Sequence, residues 1–207
     1  MSSSDDSTRR SPGRPRQSSG SVPMREMVLD AASQLFMELG YEPVSINMIA
    51  ERAGVTKASV YYYFANKAEL FTTAVIEMFA RIRMRTQAFL VQEGDLRTRL
   101  TRLARVKLSR THTDFESMMK EAIPFLSEEQ LRSIREAEHG IHEELAGTFR
   151  VEMERGDLRP GDPMLLSHAF SALLMLGNRE WFGERQPTVE ELAEEIVELF
   201  WNGAGRR

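Results

Sequence analysis

The stretch TKASVYYYF, residues 56–64, places three of the four tyrosines of this 207-residue chain side by side. Consecutive side chains in a helix are rotated by about 100° from one another, so these adjacent rings cannot all face one core. Val60 and Phe64 are four residues apart, share one face and are expected to be buried, with Tyr63 at the margin of the core. The outer face is then left with Lys57, Ser59, Tyr61 and Tyr62.

The residues around this stretch predict two short helices joined by a tight turn. Ser45 is a favourable N-cap for a helix that extends to about Arg52, and Thr56 is a favourable N-cap for a second helix to about Tyr63. Gly54 between them suits the left-handed conformation that other residues resist. A preceding helix over 24–39 would brace the pair. This arrangement is a helix-turn-helix, whose second helix enters the major groove of DNA.

Two lysines support the DNA-binding interpretation. Lys57 and Lys67 both fall in the first turn of a predicted helix, where the partial positive charge of the backbone amides disfavours a cation by several tenths of a kcal/mol. A bound phosphate would reverse that sign, because both the amides and the ammonium would attract it. The alternative is that the two lysines are ordinary surface charges.

The segment LFMELGYEPVSINMIAERAGVTKASVYYYFANKAEL, residues 35–70, resembles the DNA-binding domain of the tetracycline-repressor (TetR) family. The matching features are LF…GY, S-I-x-x-I-A-x-x-A-G-V, T-K-x-S-V-Y-x-Y-F and N-K-x-x-L. The resemblance implies an all-helical homodimer that regulates transcription, usually a repressor released by a small molecule. In two places the chain departs from the family: Val44 stands where a hydroxyl is common, and Tyr62 where histidine is frequent.

The resemblance also implies which residues contact double-stranded DNA. On matching positions it assigns Ser45, Thr56, Lys57, Ser59, Tyr61, Tyr62 and Lys67 as contacts, with Asn47 as an additional candidate. Those nearest the bases would be Lys57, Ala58, Ser59 and Tyr61, and those on phosphates Ser45, Tyr62 and Lys67.

The first 22 residues are rich in Ser, Pro, Gly and Arg and have few large apolar groups, which predicts a disordered arm. Within it, PGRPR at 12–16 resembles minor-groove-binding arms, so Arg14 and Arg16 are expected to enter a narrow A·T-rich groove. A tail that only aids solubility is the alternative. The charge distribution weakly favours an anionic partner at the front, since residues 1–92 carry 11 Lys/Arg against 9 Asp/Glu and the remainder is acidic.

The rest of the chain also shows helical spacing, which predicts an all-α fold with a three-helix N-terminal bundle followed by a larger C-terminal bundle, about nine helices in all. Capping patterns place helix starts at Asn66, Ser127 and Thr188. We expect three regions: the arm over 1–22, the helix-turn-helix domain over 23–69, and an effector-binding and dimerisation domain over 70–207.

Two apolar sets in the C-terminal part have alternative explanations. Soft apolar side chains suit a pocket for a small hydrophobic effector: Met78, Phe79, Phe89, Phe115, Met118, Met119, Phe149, Met175 and Trp181. The last two helices carry more apolar surface than one bundle flank needs, which favours a four-helix dimer interface formed by Leu166, Phe170, Leu173, Leu192, Ile196 and Phe200. For both sets the competing explanation is a core inside one subunit. The glutamates over 190–198 are interpreted as a solvated face.

Composition argues against several classes of protein. The chain has no cysteine, which excludes disulfides, cysteine-based zinc sites and thiol catalysis and suits a reducing cytoplasm. No apolar run is long enough for a membrane span. The histidines at 139 and 142 have a possible ligand spacing, but no carboxylate cage accompanies them, so neither a metal nor another cofactor is expected. No nucleophile–base motif is present, so we expect no enzyme and no catalytic residues.

The expected function is therefore a ligand-released homodimeric repressor. Two other possibilities remain open at this stage. One is an effector-independent DNA-binding activator or architectural factor, and the other is a helical adaptor that binds only protein.

Overall fold

The computed structural model describes residues 23–109, 115–178 and 187–205. Within those ranges the chain forms nine α-helices and two short 3-10 helices, which confirms the expected all-α architecture. None of these helices is both long and apolar enough to cross a membrane. The helices are α1 (Met24–Leu39), α2 (Ile46–Ala53), α3 (Lys57–Tyr63), α4 (Lys67–Leu90), α5 (Leu96–Leu108), α6 (Phe115–Ala122), α7 (Glu128–Arg155), α8 (Pro163–Leu174) and α9 (Val189–Ala204), with 3-10 turns at Ile123–Phe125 and Met175–Asn178.

The helix starts follow the capping patterns of the sequence. Ser127 and Thr188 each form a complete capping box with the side chain three residues later. At the start of α4, Asn66 Oδ1 accepts from the Glu69 N–H at 2.8 Å, as expected. The Glu69 carboxylate, however, accepts from Ala65 N rather than from Asn66 N, so the reciprocal bond reaches one residue farther back.

Helix α4 joins the two parts of the molecule, because its apolar residues enter two core clusters. Leu70 and Phe71 are fully buried in the core of the first three helices, where the Phe71 ring meets the Phe36 ring edge-on at 4.9 Å. Leu90, at the other end, packs in a second core formed with α5, α7, α8 and α9. Packing is therefore continuous across the predicted domain boundary at residue 69.

A buried ion pair fixes the C-terminal end of α4. Arg99 donates to the Leu90 carbonyl at 2.5 Å and to Glu152 Oε1 at 2.8 Å, and both charged side chains are nearly buried. The guanidinium thereby ties α4, α5 and α7 together and satisfies an end carbonyl that has no partner inside its own helix.

The acidic run of the last helix also pairs with α5. Glu194 pairs with Arg105 at 2.5 Å, and Glu198 pairs with Arg97. These contacts align α9 with α5. Both glutamates remain solvent-exposed, at 63% and 46% of their side-chain surface, as the sequence interpretation expected. Their partners on α5 were not predicted, because that helix lies about ninety to a hundred positions earlier in the chain.

Candidate nucleic-acid interface

Helices α2 and α3 are set at a fixed angle by the turn between them. Gly54 adopts the left-handed conformation (φ 66°, ψ 32°), and its N–H bonds to the end of α2. No atom lies within 4 Å of the place where a Cβ would stand at this position, so conformation rather than space calls for glycine. Thr56 Oγ1 then accepts from Ser59 N at 3.1 Å and starts α3. Both predicted N-caps, Ser45 and Thr56, are observed.

Helix α3 separates its side chains into a buried and an exposed face. Val60 and Phe64 are buried against the first core, and Tyr63 is half-buried at its margin. Tyr61 is 47% exposed and Tyr62 is 82% exposed. The exposed members of the predicted DNA-contact set are Ser45, Asn47, Thr56, Lys57, Ala58, Tyr61 and Tyr62.

Besides the N-caps Ser45 and Thr56, the predicted contacts Ser59 and Lys67 are also engaged within the protein. Ser59 is half-buried, and its hydroxyl lies 2.8 Å from Thr56 Oγ1. The Lys67 ammonium donates to the Glu42 carbonyl at 3.1 Å and lies 4.2 Å from the centre of the Tyr41 ring. Burial lowers the pKa of Lys67, and the negative charges of Glu42 and Glu121 oppose that shift. Lys67 is therefore held at the edge of the interface, whereas Lys57 extends over Tyr61 into solvent.

The exposed face has the chemistry that a duplex requires. It offers hydroxyl groups, one free-standing ammonium and two aromatic faces along a single short helix. Val44, where the family often has a hydroxyl, is buried in the core. Arg14 and Arg16 lie outside the described residues, as does the whole predicted arm.

The predicted effector-pocket residues fall into separate places. Met78 and Phe79 of α4 and Phe115, Met118 and Met119 of α6 belong to the first core, where the Phe79 and Phe115 rings are 5.0 Å apart. We call this set the α4–α6 layer. Phe89 and Phe149 belong to the second core, and Met175 is exposed on the surface. Trp181 lies outside the described residues. A cleft of about 560 Å³ near Met153 and Arg159 is lined by none of the nine predicted residues.

The predicted dimer face needs correction, because most of its members lie inside the subunit. Phe170, Leu192, Ile196 and Phe200 are buried, and the Phe170 and Phe200 rings meet at 5.1 Å. Leu166 and Leu173 are half-buried. Helices α8 and α9 carry apolar residues on more than one face, and their spacing alone does not say which face packs inward. In α8, the 3-10 turn that follows it and α9, the exposed large apolar residues are instead Leu165, Met175, Leu176 and Leu199.

Comparison with known proteins identifies the helix-turn-helix region. The sequence model of the family described as "Bacterial regulatory proteins, tetR family" matches residues 28–74. YhgD of Bacillus subtilis (strain 168), an HTH-type transcriptional regulator, is 23% identical over 184 residues, which cover 87% of this chain and 95% of YhgD.

Two further proteins extend the comparison. The HTH-type transcriptional repressor KstR of Rhodococcus jostii (strain RHA1) is 39% identical over 61 residues, which cover 30% of this chain and 29% of KstR. The structure of AibR in complex with isovaleryl coenzyme A and operator DNA superposes with a TM-score of 0.62 at 21% identity, covering 85% of this chain and 97% of AibR. The relatives are transcriptional regulators and not enzymes.

A pair of histidines, His142 and His168, lies where α7 meets α8, and the spacing of the sequence points only to His142. His142 Nδ1 is 3.1 Å from the buried Ser167 hydroxyl, and its ring lies 4.0 Å from the His168 ring. His139 is exposed and near Glu143. Within the described ranges no three acidic, histidine or cysteine side chains come together as a metal site.

Acid is expected to destabilise the fold through His142. Burial, and then the nearby positive charges of His168, His139 and Lys107, lower its pKa from 6.5 to about 4. The unfolded chain therefore takes up a proton at this position near pH 6.5 while the folded chain does not, so stability is fully present above pH 6.5 and declines as the pH falls towards 4. Denaturant unfolding of wild type and His142→Gln across this interval checks the effect. The variant should show the shallower decline, and parallel curves would contradict the assignment.

Proposed function

Because the chain belongs to the tetR family of bacterial transcriptional regulators, we propose that it is a homodimeric repressor released from a near-palindromic operator by a small hydrophobic effector. The observation that carries the proposal is the exposed face of α3, where Lys57, Tyr61 and Tyr62 point away from a core that buries Val60 and Phe64. We place the protein in the cytoplasm, where it would meet the operator.

We assign each DNA contact by how deeply its side chain would lie in the major groove. The N-terminal residues of a recognition helix lie nearest the base edges, which gives Lys57, Ala58 and Ser59 that role, with Tyr61 one turn on. Ser45 and Tyr62 would contact phosphates, since they flank the helix on its exposed side. Lys67 would reach a phosphate by turning from the Glu42 carbonyl. Arg14 and Arg16 keep their predicted minor-groove role.

Loss of the exposed groups of α3 should weaken DNA binding. Each base or phosphate contact removed costs about 1–3 kcal/mol, so Lys57→Ala combined with Tyr61→Ala should lower affinity by roughly a hundredfold. Losing the Lys57 charge should also lower the slope of log affinity against log salt by about 0.9. Fluorescence anisotropy with a duplex selected from random sequence measures both quantities.

Lys120→Ala is the matched control for that experiment, because it removes an exposed lysine from α6, outside the helix-turn-helix. It should leave affinity nearly unchanged. Undiminished binding by a folded double variant would contradict the interface, and absence of duplex binding by the wild type at low salt would favour the protein-binding adaptor.

We assign the dimer interface to the exposed apolar side of α8 and α9. Leu165 is 65% exposed and Leu199 is 60% exposed, which is unfavourable for large aliphatic side chains on two helices of one bundle. Ala169 and Ala172 are exposed on the same helix as Leu165 and allow close approach of a second helix. Dimerisation there would set two recognition helices about 34–36 Å apart, one turn of B-DNA.

Negative charge introduced by substitution on the exposed apolar side of α8 and α9 should dissociate the dimer. Leu165→Glu combined with Leu199→Glu would bury carboxylates without partners in the interface, which is strongly unfavourable. Sedimentation equilibrium should show a dimer for wild type and a monomer for the variant, with weaker operator binding. Met84→Glu, on an exposed site of α4, is the control and should remain dimeric. An unchanged mass of the double variant would disprove this face.

We propose that the effector enters the α4–α6 layer of the first core. Its support is the chemistry of Met78, Met118 and Met119 with Phe79 and Phe115, since methionine adapts to ligands of varied shape. AibR, which has the same fold, was determined with an acyl coenzyme A and with operator DNA, and KstR is a repressor. Shifting the protein from nearly all bound to nearly all free requires a difference in effector affinity of about 5.5 kcal/mol between the two states.

Hydrophobic compounds that raise the melting temperature should also weaken operator binding. A ligand at about a hundred times its dissociation constant stabilises the folded state by about 2.7 kcal/mol, which is readily seen in a thermal shift. Each stabilising compound is then tested in the anisotropy assay. Compounds that stabilise the protein and leave operator affinity unchanged would favour the effector-independent alternative.

A further inference from the structure

The turn after α1 is held by a residue eighty positions away in the sequence. Glu121, in the last turn of α6, accepts hydrogen bonds from Tyr41 N at 2.9 Å and from Glu42 N at 3.1 Å. Both bonds end on the same oxygen, Oε2. The contact joins the C-terminal helices to the helix-turn-helix head directly, independently of the continuous helix α4.

The backbone at Gly40 makes this contact possible. Gly40 ends α1 with a φ of 86°, a conformation that side chains other than glycine rarely adopt. The next two N–H groups, those of Tyr41 and Glu42, both donate to the Glu121 carboxylate. A Cβ at this position would stand 2.7 Å from Glu121 Oε2, closer than real Cβ atoms come. The conformation therefore requires glycine, and a Cβ would in addition displace the Glu121 carboxylate from its present position.

A second contact from the same part of the chain reinforces the first. Phe125, in the 3-10 turn that follows α6, lies with its ring 5.4 Å from the Tyr41 ring. Tyr41 is buried, and its ring also packs on Phe36 at 5.9 Å and on Phe71 at 4.9 Å. The turn is thus fixed between the head and the segment 115–125.

The opposite side of the turn holds a residue of the DNA interface. The Lys67 ammonium lies 4.2 Å from the Tyr41 ring centre and donates to the Glu42 carbonyl at 3.1 Å. Glu121 therefore binds the N–H of Glu42 while Lys67 binds the carbonyl of the same residue. A single residue, Glu42, therefore lies between Glu121 of the C-terminal helices and Lys67, the proposed phosphate contact.

We propose that Glu121 is a positioning residue that fixes the orientation of the DNA-binding head relative to the C-terminal helices. This inference rests on the proposed function and names the route of its regulation. Met118 and Met119, on the same short helix, are fully buried in the layer assigned to the effector. A ligand bound in this layer would contact the same helix that carries Glu121.

Amide hydrogen exchange tests the contact without DNA. In Glu121→Ala the Tyr41 and Glu42 amides lose their acceptor, and their exchange should accelerate by about tenfold or more. Glu121→Gln should retain much of the protection, because both bonds end on one oxygen and the glutamine carbonyl can replace it. Lys120→Ala, next to it on α6, should leave both amides as in wild type. Unchanged exchange in a folded Glu121→Ala variant would overturn the inference.

DNA binding tests the positioning role. A palindromic duplex engages both heads, so its affinity depends on their mutual orientation, whereas a duplex with one half-site engages a single head. Glu121→Ala should lower affinity for the palindrome by on the order of tenfold and leave half-site affinity within about twofold. An equal loss on both duplexes would show a general structural defect and overturn the positioning role, as would no loss on the palindrome.

The experiments separate a failure of folding, a failure of the proposed function and a failure of this inference. Glu121→Met preserves side-chain length and helix propensity but has no acceptor of comparable strength, so it replaces the alanine variant if that one does not fold. Failure of the wild type to bind either duplex would overturn the proposed function and this inference together. Binding by the wild type with no palindrome-specific loss in the variants would overturn this inference alone.

Discussion

The structure depends on burial of one apolar stripe along α4. This helix is about 36 Å long and, like α7, contributes to both core clusters. Its first turns place Leu70 and Phe71 under the helix-turn-helix, and Leu90 at its end packs with Leu100 and Phe149. Because interiors are close-packed, a shift of this helix at one end must be accommodated at the other. The two parts of the molecule are therefore coupled even though their sequences suggest separate domains.

Ion pairs and hydrogen bonds fix the relative orientation of the packed helices. Hydrophobic burial fixes which faces meet but tolerates small rotations, whereas a carboxylate bound to two backbone N–H groups does not. Glu121 restrains the turn after α1, and Arg99 with Glu152 restrains the end of α4. Both restraints act at the ends of helices, where backbone groups have no partner inside the helix. The first restraint joins the DNA-binding head to the C-terminal helices, and the second fixes the far end of α4 within those helices.

The chemistry of α3 follows from the same constraint. Once Val60 and Phe64 are buried, the helical rotation leaves Tyr61 and Tyr62 in solvent, where large aromatic rings are unfavourable unless a partner covers them. In the proposed complex a DNA duplex would cover them and accept hydrogen bonds from their hydroxyls, and Lys57 would lie near the base edges. The similarity of residues 28–74 to the tetR family agrees with this reading of the residues.

The sequence by itself determined the helices, their caps and the exposed face of α3, because these depend on residues within one or two turns of each other. Ser45, Thr56, Asn66, Ser127 and Thr188 cap the helices they were expected to cap. Only the tertiary structure decided which side of α8 and α9 faces inward, since Phe170 and Leu165 are equally apolar and differ only in what packs against them. It also decided the partners of Glu194 and the role of Glu121. Those contacts join residues about eighty to ninety positions apart, and no local pattern specifies them.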